Sequence, residues 1–252
     1  MFHRAMEILR LFSPQRTELG VLEAAELLQR PKSTASRWLK GMEEAGFLDR
    51  GVESGRYRLS LSLAALGELA RQATSLQRVA RPILEEMVER VGETTNLVIL
   101  DGTAAVNVEV VRSSRPIQHV GILGRRLPLH ATAAGKVLLT HASPETRERF
   151  LARSLPSFTP WTVTDRAQLT QELTEIEAAG VATAWRELEE DLVAASAPVR
   201  DHRGRVVAAV TTSAPLSRTS RAALDGLARQ VREAALRVSQ ALGYRSATAP
   251  DG

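Results

Sequence analysis

Between Pro31 and Ala45 the apolar residues Ala35, Trp38, Leu39 and Met42 recur at i, i+3, i+4 and i+7, while Thr34, Ser36, Arg37 and Lys40 fall on the opposite side. Four basic residues and no acidic one lie between Arg30 and Lys40. A helix divided in this way needs a small apolar core on one side and water or an anionic partner on the other. Its surroundings fit such a core. Phe2, Ala5, Met6, Leu9 and Phe12 predict a first amphipathic helix ending near Ser13-Pro14, and Leu22, Ala25, Leu27 and Leu28 a second over Val21 to Gln29. The connection Arg30-Pro31-Lys32 leads to the third helix, Ser33 to Ala45, with Ser33 or Lys32 where a cap is expected. Downstream, Phe47 to Arg50 and Arg56 to Ser60 flank the turn-rich Gly51 to Gly55 and predict a β-hairpin. Three short helices and a hairpin are the outline of a winged helix-turn-helix.

Reading a duplex requires short polar and basic side chains at the floor and walls of a major groove about 12 Å wide. Lys32 and Lys40 suit phosphates, and Ser33, Thr34, Ser36 and Arg37 are short or forked enough to reach base edges or hold register. Arg37 is the first candidate, because a guanidinium engages two acceptors at once. Arg56 and Arg58, on the second hairpin strand, are expected to set the wing over adjacent backbone or minor groove. A basic helix face alone can equally be a solvated surface; the order of elements around it is what favours DNA.

Net charge does not carry that reading. With 33 basic against 29 acidic residues the chain is only +4. The sequence contains no cysteine, which removes disulfides, thiolate metal sites and thiol nucleophiles. No apolar run reaches the ~18 residues of a membrane span, and the N-terminal pattern is not that of a secretory signal, so a cytoplasmic protein without a membrane partner is expected.

Beyond the 1–60 unit, Leu61, Leu63, Leu66, Leu69 and Ala70 predict a linker helix over 61–75. Residues 76–245 mix helices, near Pro82 to Val91, after His130, Pro144 to Ala152, Arg166 to Ala179 and Thr219 to Leu242, with strands at Thr95 to Leu100, Ala105 to Val111, Leu192 to Val199 and Arg205 to Ser213. Asp101-Gly102 and Asp201 to Gly204 are hairpin turns. The expected class is α+β, an antiparallel sheet covered by helices, followed by a disordered tail at 246–252.

The segments Pro31-Lys32-Ser33-Thr34, Arg37, Gly46-Phe47 and Gly55-Arg56-Tyr57-Arg58-Leu59 resemble the winged helix of the IclR family of bacterial transcriptional regulators. Gly124 to Lys136 and Ala197-Pro198-Val199-Arg200-Asp201 are similar to the two best-marked stretches of that family's effector domain, so the resemblance spans residues 3–243. It departs at Gln29, where a glycine usually precedes the recognition helix, and at Ser60, where the family often has glycine. The resemblance implies a GAF-like C-terminal domain that binds a small organic acid, homo-oligomers (dimers or tetramers) and an operator duplex as partner, with no cofactor.

From the residues themselves, the loop into a helix near Thr132 leaves the first-turn N–H groups of Ala133 and Ala134 free to hold an anion. Thr211 and Ser213 alternate along a strand and can face the same ligand. Gly124, Arg126, His130, Leu192, Ala184 and Ala194 complete the candidate effector set. Gly135 as a packing glycine, Lys136 as a carboxylate partner and His130 as a core histidine are the structural alternatives. Ala184 and Ala194 stand where the family frequently has an acidic residue and a cysteine, and Asp191 where it frequently has glycine. That change favours an aromatic or bulky acid over a small keto acid. The acidic run Glu187, Glu189, Glu190 and Asp191 is expected to be a solvated loop. None of the five histidines (His3, His119, His130, His141 and His202) sits in a nucleophile setting, and no phosphate-binding glycine loop occurs, so an enzyme is disfavoured. A DNA-binding oligomer without an effector is the remaining rival.

Overall fold

The computed structural model describes residues 2–13, 15–53, 55–73, 75–116 and 121–245. The chain forms two compact units, Met1–Thr74 and Ser75–Gly252. The expected disordered tail, 246–252, lies outside the described residues.

In the first unit the elements run α1 (Phe2–Leu9), β1 (Glu18–Gly20), α2 (Val21–Leu27), α3 (Lys32–Glu44), β2 (Leu48–Arg50), β3 (Arg56–Leu59) and α4 (Leu61–Ala73). The stripe on α3 buries Ala35, Leu39 and Met42 against Ile8, Leu19, Ala24 and Tyr57, and Trp38 packs at the edge. The wing has three strands in the order β1-β3-β2, not two. Strand β1 is too short to show a period; the pairing of Leu19 with Tyr57 makes it a strand.

Two local features differ from expectation. Helix α3 begins at Lys32 with Pro31 at its cap position, and no side chain caps it. Ser33 lies within the first turn instead. The Pro31 carbonyl takes the N–H groups of Thr34 (2.9 Å) and Ala35 (3.1 Å), and those of Lys32 and Ser33 have no acceptor among the described residues. Gln29 adopts a left-handed φ of 53°. Its N–H bonds to the Glu26 carbonyl (3.1 Å) and that of Arg30 to the Ala25 carbonyl (2.9 Å), a helix ending that ordinarily uses glycine. The IclR-like glycine at this position therefore has a backbone reason, and Gln29 carries strain in its place.

The second unit comprises α5 (Ser75–Val91), β4 (Thr94–Asp101), β5 (Ala104–Val111), β6 (Arg126–Pro128), α6 (Ala133–Thr140), α7 (Pro144–Leu151), α8 (Arg166–Ala179), β7 (Ala182–Trp185), β8 (Leu192–Arg200), β9 (Val206–Pro215) and α9 (Arg221–Ala241). The six strands form one antiparallel sheet, β6-β5-β4-β9-β8-β7. Helices α5 and α9 cover one face, where Leu84, Met87, Leu97, Val210 and Val231 are buried. Helices α6 and α8 cover the other, over Val98, Leu138, Leu169 and Ala209. The α+β class is as expected.

Helix α5 starts a full two turns before the predicted start near Pro82, which lies inside it. Ala80, Leu84 and Met87, each no more than 1% exposed, form a stripe on the sheet that holds the turn before the proline helical despite the lost N–H. The β4–β5 turn is displaced by one residue: Asp101 pairs with Ala104, so Gly102 (φ 62°) and Thr103 form the loop.

Relieving the left-handed residue should show in stability. Gln29→Gly should stabilise the full chain by roughly 0.5–1 kcal/mol, less than the cost of a left-handed non-glycine residue because glycine is freer when unfolded. Thermal unfolding measures this; a lower Tm would mean that the glutamine side chain offsets the strain.

Candidate nucleic-acid interface and ligand cavity

On α3, Lys32, Ser33, Arg37 and Lys40 are exposed, and Thr34 and Ser36 are half-buried beside them. Arg37 makes no ion pair among the described residues, and Lys40 has only a loose partner in Glu44, 3.8 Å away with both side chains 67% exposed. A pair of that kind contributes little and yields readily to a phosphate. The two wing arginines part company. Arg56 Nη2 bonds to Glu23 Oε2 and to the Glu18 carbonyl, both at 3.0 Å, so it fastens the wing to α2 and β1. Arg58 is exposed with no ion pair among the described residues.

In the second unit a small cavity of about 40 Å³, partly open to solvent, lies between the sheet face under α6, the start of α6 and the segment after β7. Of the predicted effector residues, Thr132, Ala133, Ala134, Ala184, Leu192, Ala194, Thr211 and Ser213 line it. Thr132 caps α6: its hydroxyl accepts from Gly135 N (3.1 Å) and donates to the Pro128 carbonyl (2.8 Å). It therefore has no proton left for a ligand, and among the described residues the N–H groups of Ala133 and Ala134 have no acceptor. Ala184 and Ala194 are register partners on β7 and β8, two methyls side by side on the wall.

Three predicted residues lie away from this lining. Gly124 (φ 75°) forms the turn before β6. Arg126 faces out and pairs with the Asp101 carboxylate, also donating to the Asp101 carbonyl at 2.9 Å. His130 is a core residue, with Nε2 2.9 Å from the Pro156 carbonyl and its ring tilted between Phe150 and Phe158. Burial pushes its pKa below the ordinary histidine value.

Their places are taken by Arg125, Leu127, Asn96, Asn107, Glu187 and Glu189. Arg125 and Leu127 alternate with Arg126 along the approach to β6, so a period of two would have chosen Arg125 had this strand been recognised. Arg125 Nη2 meets Glu189 Oε1 at 3.2 Å, and both are part-exposed at the cavity. The acidic run is thus not simply solvated.

The helix that supplies the free N–H groups is fixed by two contacts. A Cβ on Gly135 would stand 2.4 Å from Leu129 Cα, so only glycine allows this approach. Lys136, 1% exposed, has its ammonium 2.6 Å from Glu172 Oε2 on α8 and 2.6 Å from Glu187 Oε2. Burial raises the Glu187 pKa, and the Lys136 charge opposes that rise. A carboxyl with a raised pKa contributes stability when protonated and loses it as pH rises through the folded-state value. Lys136→Met removes the compensating charge, so it should cost about 3–5 kcal/mol near about pH 8, with the deficit against wild type shrinking near about pH 5. His130 and His141 are both held low by burial and protonate in either protein, so the comparison is between variant and wild type. A deficit indifferent to pH would clear Glu187 of responsibility.

Sequence comparisons agree with this architecture. Residues 3–51 match the IclR helix-turn-helix domain model and residues 69–240 the bacterial transcriptional regulator IclR C-terminal model. The chain is 35% identical over 242 residues to the HTH-type transcriptional regulator XynR of Escherichia coli, covering 96% of each. It superposes with TM-score 0.87 on a Silicibacter sp. TM1040 protein described as an IclR transcriptional regulator, at 26% identity and 98% coverage of both chains. A second crystal structure, an IclR homolog from Microbacterium hydrocarbonoxydans complexed with 4-hydroxybenzoate, is 31% identical with TM-score 0.78, over 95% of this chain and 97% of that one. Among the described residues no helix is long and apolar enough to cross a membrane. With models of both halves matched and a relative this similar over nearly its full length, the chain belongs to the IclR family of bacterial transcriptional regulators.

Proposed function

We propose that α3 enters the major groove of an operator and that a small organic acid, aromatic or bulky, binds in the second unit's cavity and controls operator binding. The observation that carries this reading is the cavity lining: free N–H groups at the start of α6 and the guanidinium of Arg125 share one space with the hydroxyls of Thr211 and Ser213. An anion is favoured by the helix end and the arginine, and the Ala184–Ala194 wall gives its carbon skeleton an apolar surface. The 4-hydroxybenzoate complex of the Microbacterium homolog is of the same chemical class.

On the DNA side, Arg37 is the base reader, with Ser33, Thr34 and Ser36 holding register. Lys32, Lys40 and Arg58 neutralise phosphates, and the uncapped N–H groups of Lys32 and Ser33 accept one more. Arg56 acts within the wing, not on DNA. The protein works as a dimer or larger oligomer, because two winged helices on half-sites about one helical turn apart gain avidity that one lacks. The acid must bind arrangements of differing operator affinity unequally to shift their populations; the linker helix α4 is the element through which it would do so.

Titration of a labelled promoter fragment tests the DNA side. Arg37→Ala should weaken binding by roughly 1–3 kcal/mol. Lys40→Ala and Arg58→Ala should each flatten the salt dependence by about one unit. Arg56→Ala should instead lower the unfolding temperature with the salt slope retained; a flattened slope there would return Arg56 to the interface. For the sensing side, Ala194→Phe fills the cavity and should abolish the response to acids while operator affinity persists. Loss of both would show only a damaged fold.

A further inference from the structure

The floor of the cavity carries a feature that anion binding leaves unused. Asn107 on β5 and Asn96 on β4 both line the cavity and are 3% and 4% exposed. Among the described residues, each keeps its carbonyl oxygen, Oδ1, buried without a hydrogen-bond donor. The orientation of Asn107 is set by its own amide nitrogen, which donates to the Ile122 carbonyl at 3.1 Å and leaves Oδ1 over. Beside Asn96 the chain has Gly121, where a Cβ would come within 2.6 Å of Oδ1, so only glycine allows the backbone to pass this close to that oxygen. Register links the two amides: Asn107 pairs with Val98, two residues along β4 from Asn96, and Asn96 pairs with Thr211 on β9. A polar row therefore crosses three adjacent strands beneath the cavity.

Buried carbonyls without donors are costly, and native structures rarely keep two in one place unless something else satisfies them. The groups able to do so are hydroxyls and N–H groups. A hydroxyl both donates and accepts, which matches a primary amide with its oxygen and nitrogen, whereas an ammonium only donates. We infer that Asn96 and Asn107 form a hydroxyl-recognising subsite, so that the effector is a hydroxy-substituted organic acid whose hydroxyl donates to one or both of these carbonyls. This inference rests on the organic-acid reading of the cavity and adds to it which acids are accepted. Selectivity follows: an acid of the same size with hydrogen or methyl in place of hydroxyl leaves the carbonyls unpaired and is rejected.

Calorimetric titration of the full-length protein with benzoate, 4-methylbenzoate, 3-hydroxybenzoate, 4-hydroxybenzoate, butanoate and 3-hydroxybutanoate tests it. At least one hydroxy acid should bind about tenfold or more tightly than its counterparts without the hydroxyl, as expected when a buried acceptor gains its donor. Asn96→Leu and Asn107→Leu should each collapse that ratio towards one. Because the ratio is taken within each variant, a general loosening of the cavity lowers both affinities and leaves it unchanged, and the wild-type ratio decides alone should neither variant fold. Equal binding of hydroxy and methyl acids, or a ratio that survives in both variants, overturns the subsite and leaves the organic-acid reading standing. Binding of none of the six acids overturns that reading and the subsite with it.

Discussion

The ammonium of Lys136 ties α6 to α8 and to the segment after β7, and the cavity has its shape because of where that contact holds the three. A lysine this buried is tolerated only with its charge compensated, and two carboxylates from different elements provide the compensation. Gly135 brings the same helix against the Leu129 backbone. Between them the two residues hold the start of α6 against its neighbours beside the cavity. Precise anion binding by a helix end depends on that rigidity more than on the residues at the end itself.

Polarity is distributed unevenly around this space. The α6 end and Arg125 favour negative charge, the Ala184–Ala194 wall offers only methyl groups, and the sheet floor presents amides and hydroxyls. Glu187 and Glu189 sit close by, each committed to a cation, Lys136 and Arg125 respectively. The cavity is thus neither uniformly basic nor uniformly apolar.

How much of this was legible beforehand can be followed residue by residue. The α3 stripe, the wing and the hydroxyls of Thr211 and Ser213 have long or regular patterns and were readable. Strands β1, β6 and β7 were not, because three or four residues show no period and, unlike the equally short wing strands β2 and β3, they do not flank a turn-rich segment such as Gly51 to Gly55. Missing β6 put Arg126 in the site in place of Arg125. Asn96 and Asn107 lie within strands that were recognised, yet nothing in one sequence says that a strand asparagine is unpaired. Arg56 looked like any wing arginine until its acidic neighbours, 33 and 38 residues away, came into contact. Gln29 was visible only as a departure from a family habit; its left-handed backbone supplies the reason for that habit.

With only three lysines against thirty arginines, the side-chain amines of this chain are unusually sparse, and their placement divides them. Lys136 is sealed inside, whereas Lys32 and Lys40 stand in the open on α3. Reagents that acylate or alkylate primary amines would therefore mark α3 and spare the second unit. The extent of labelling then becomes a direct footprint of whether anything covers α3.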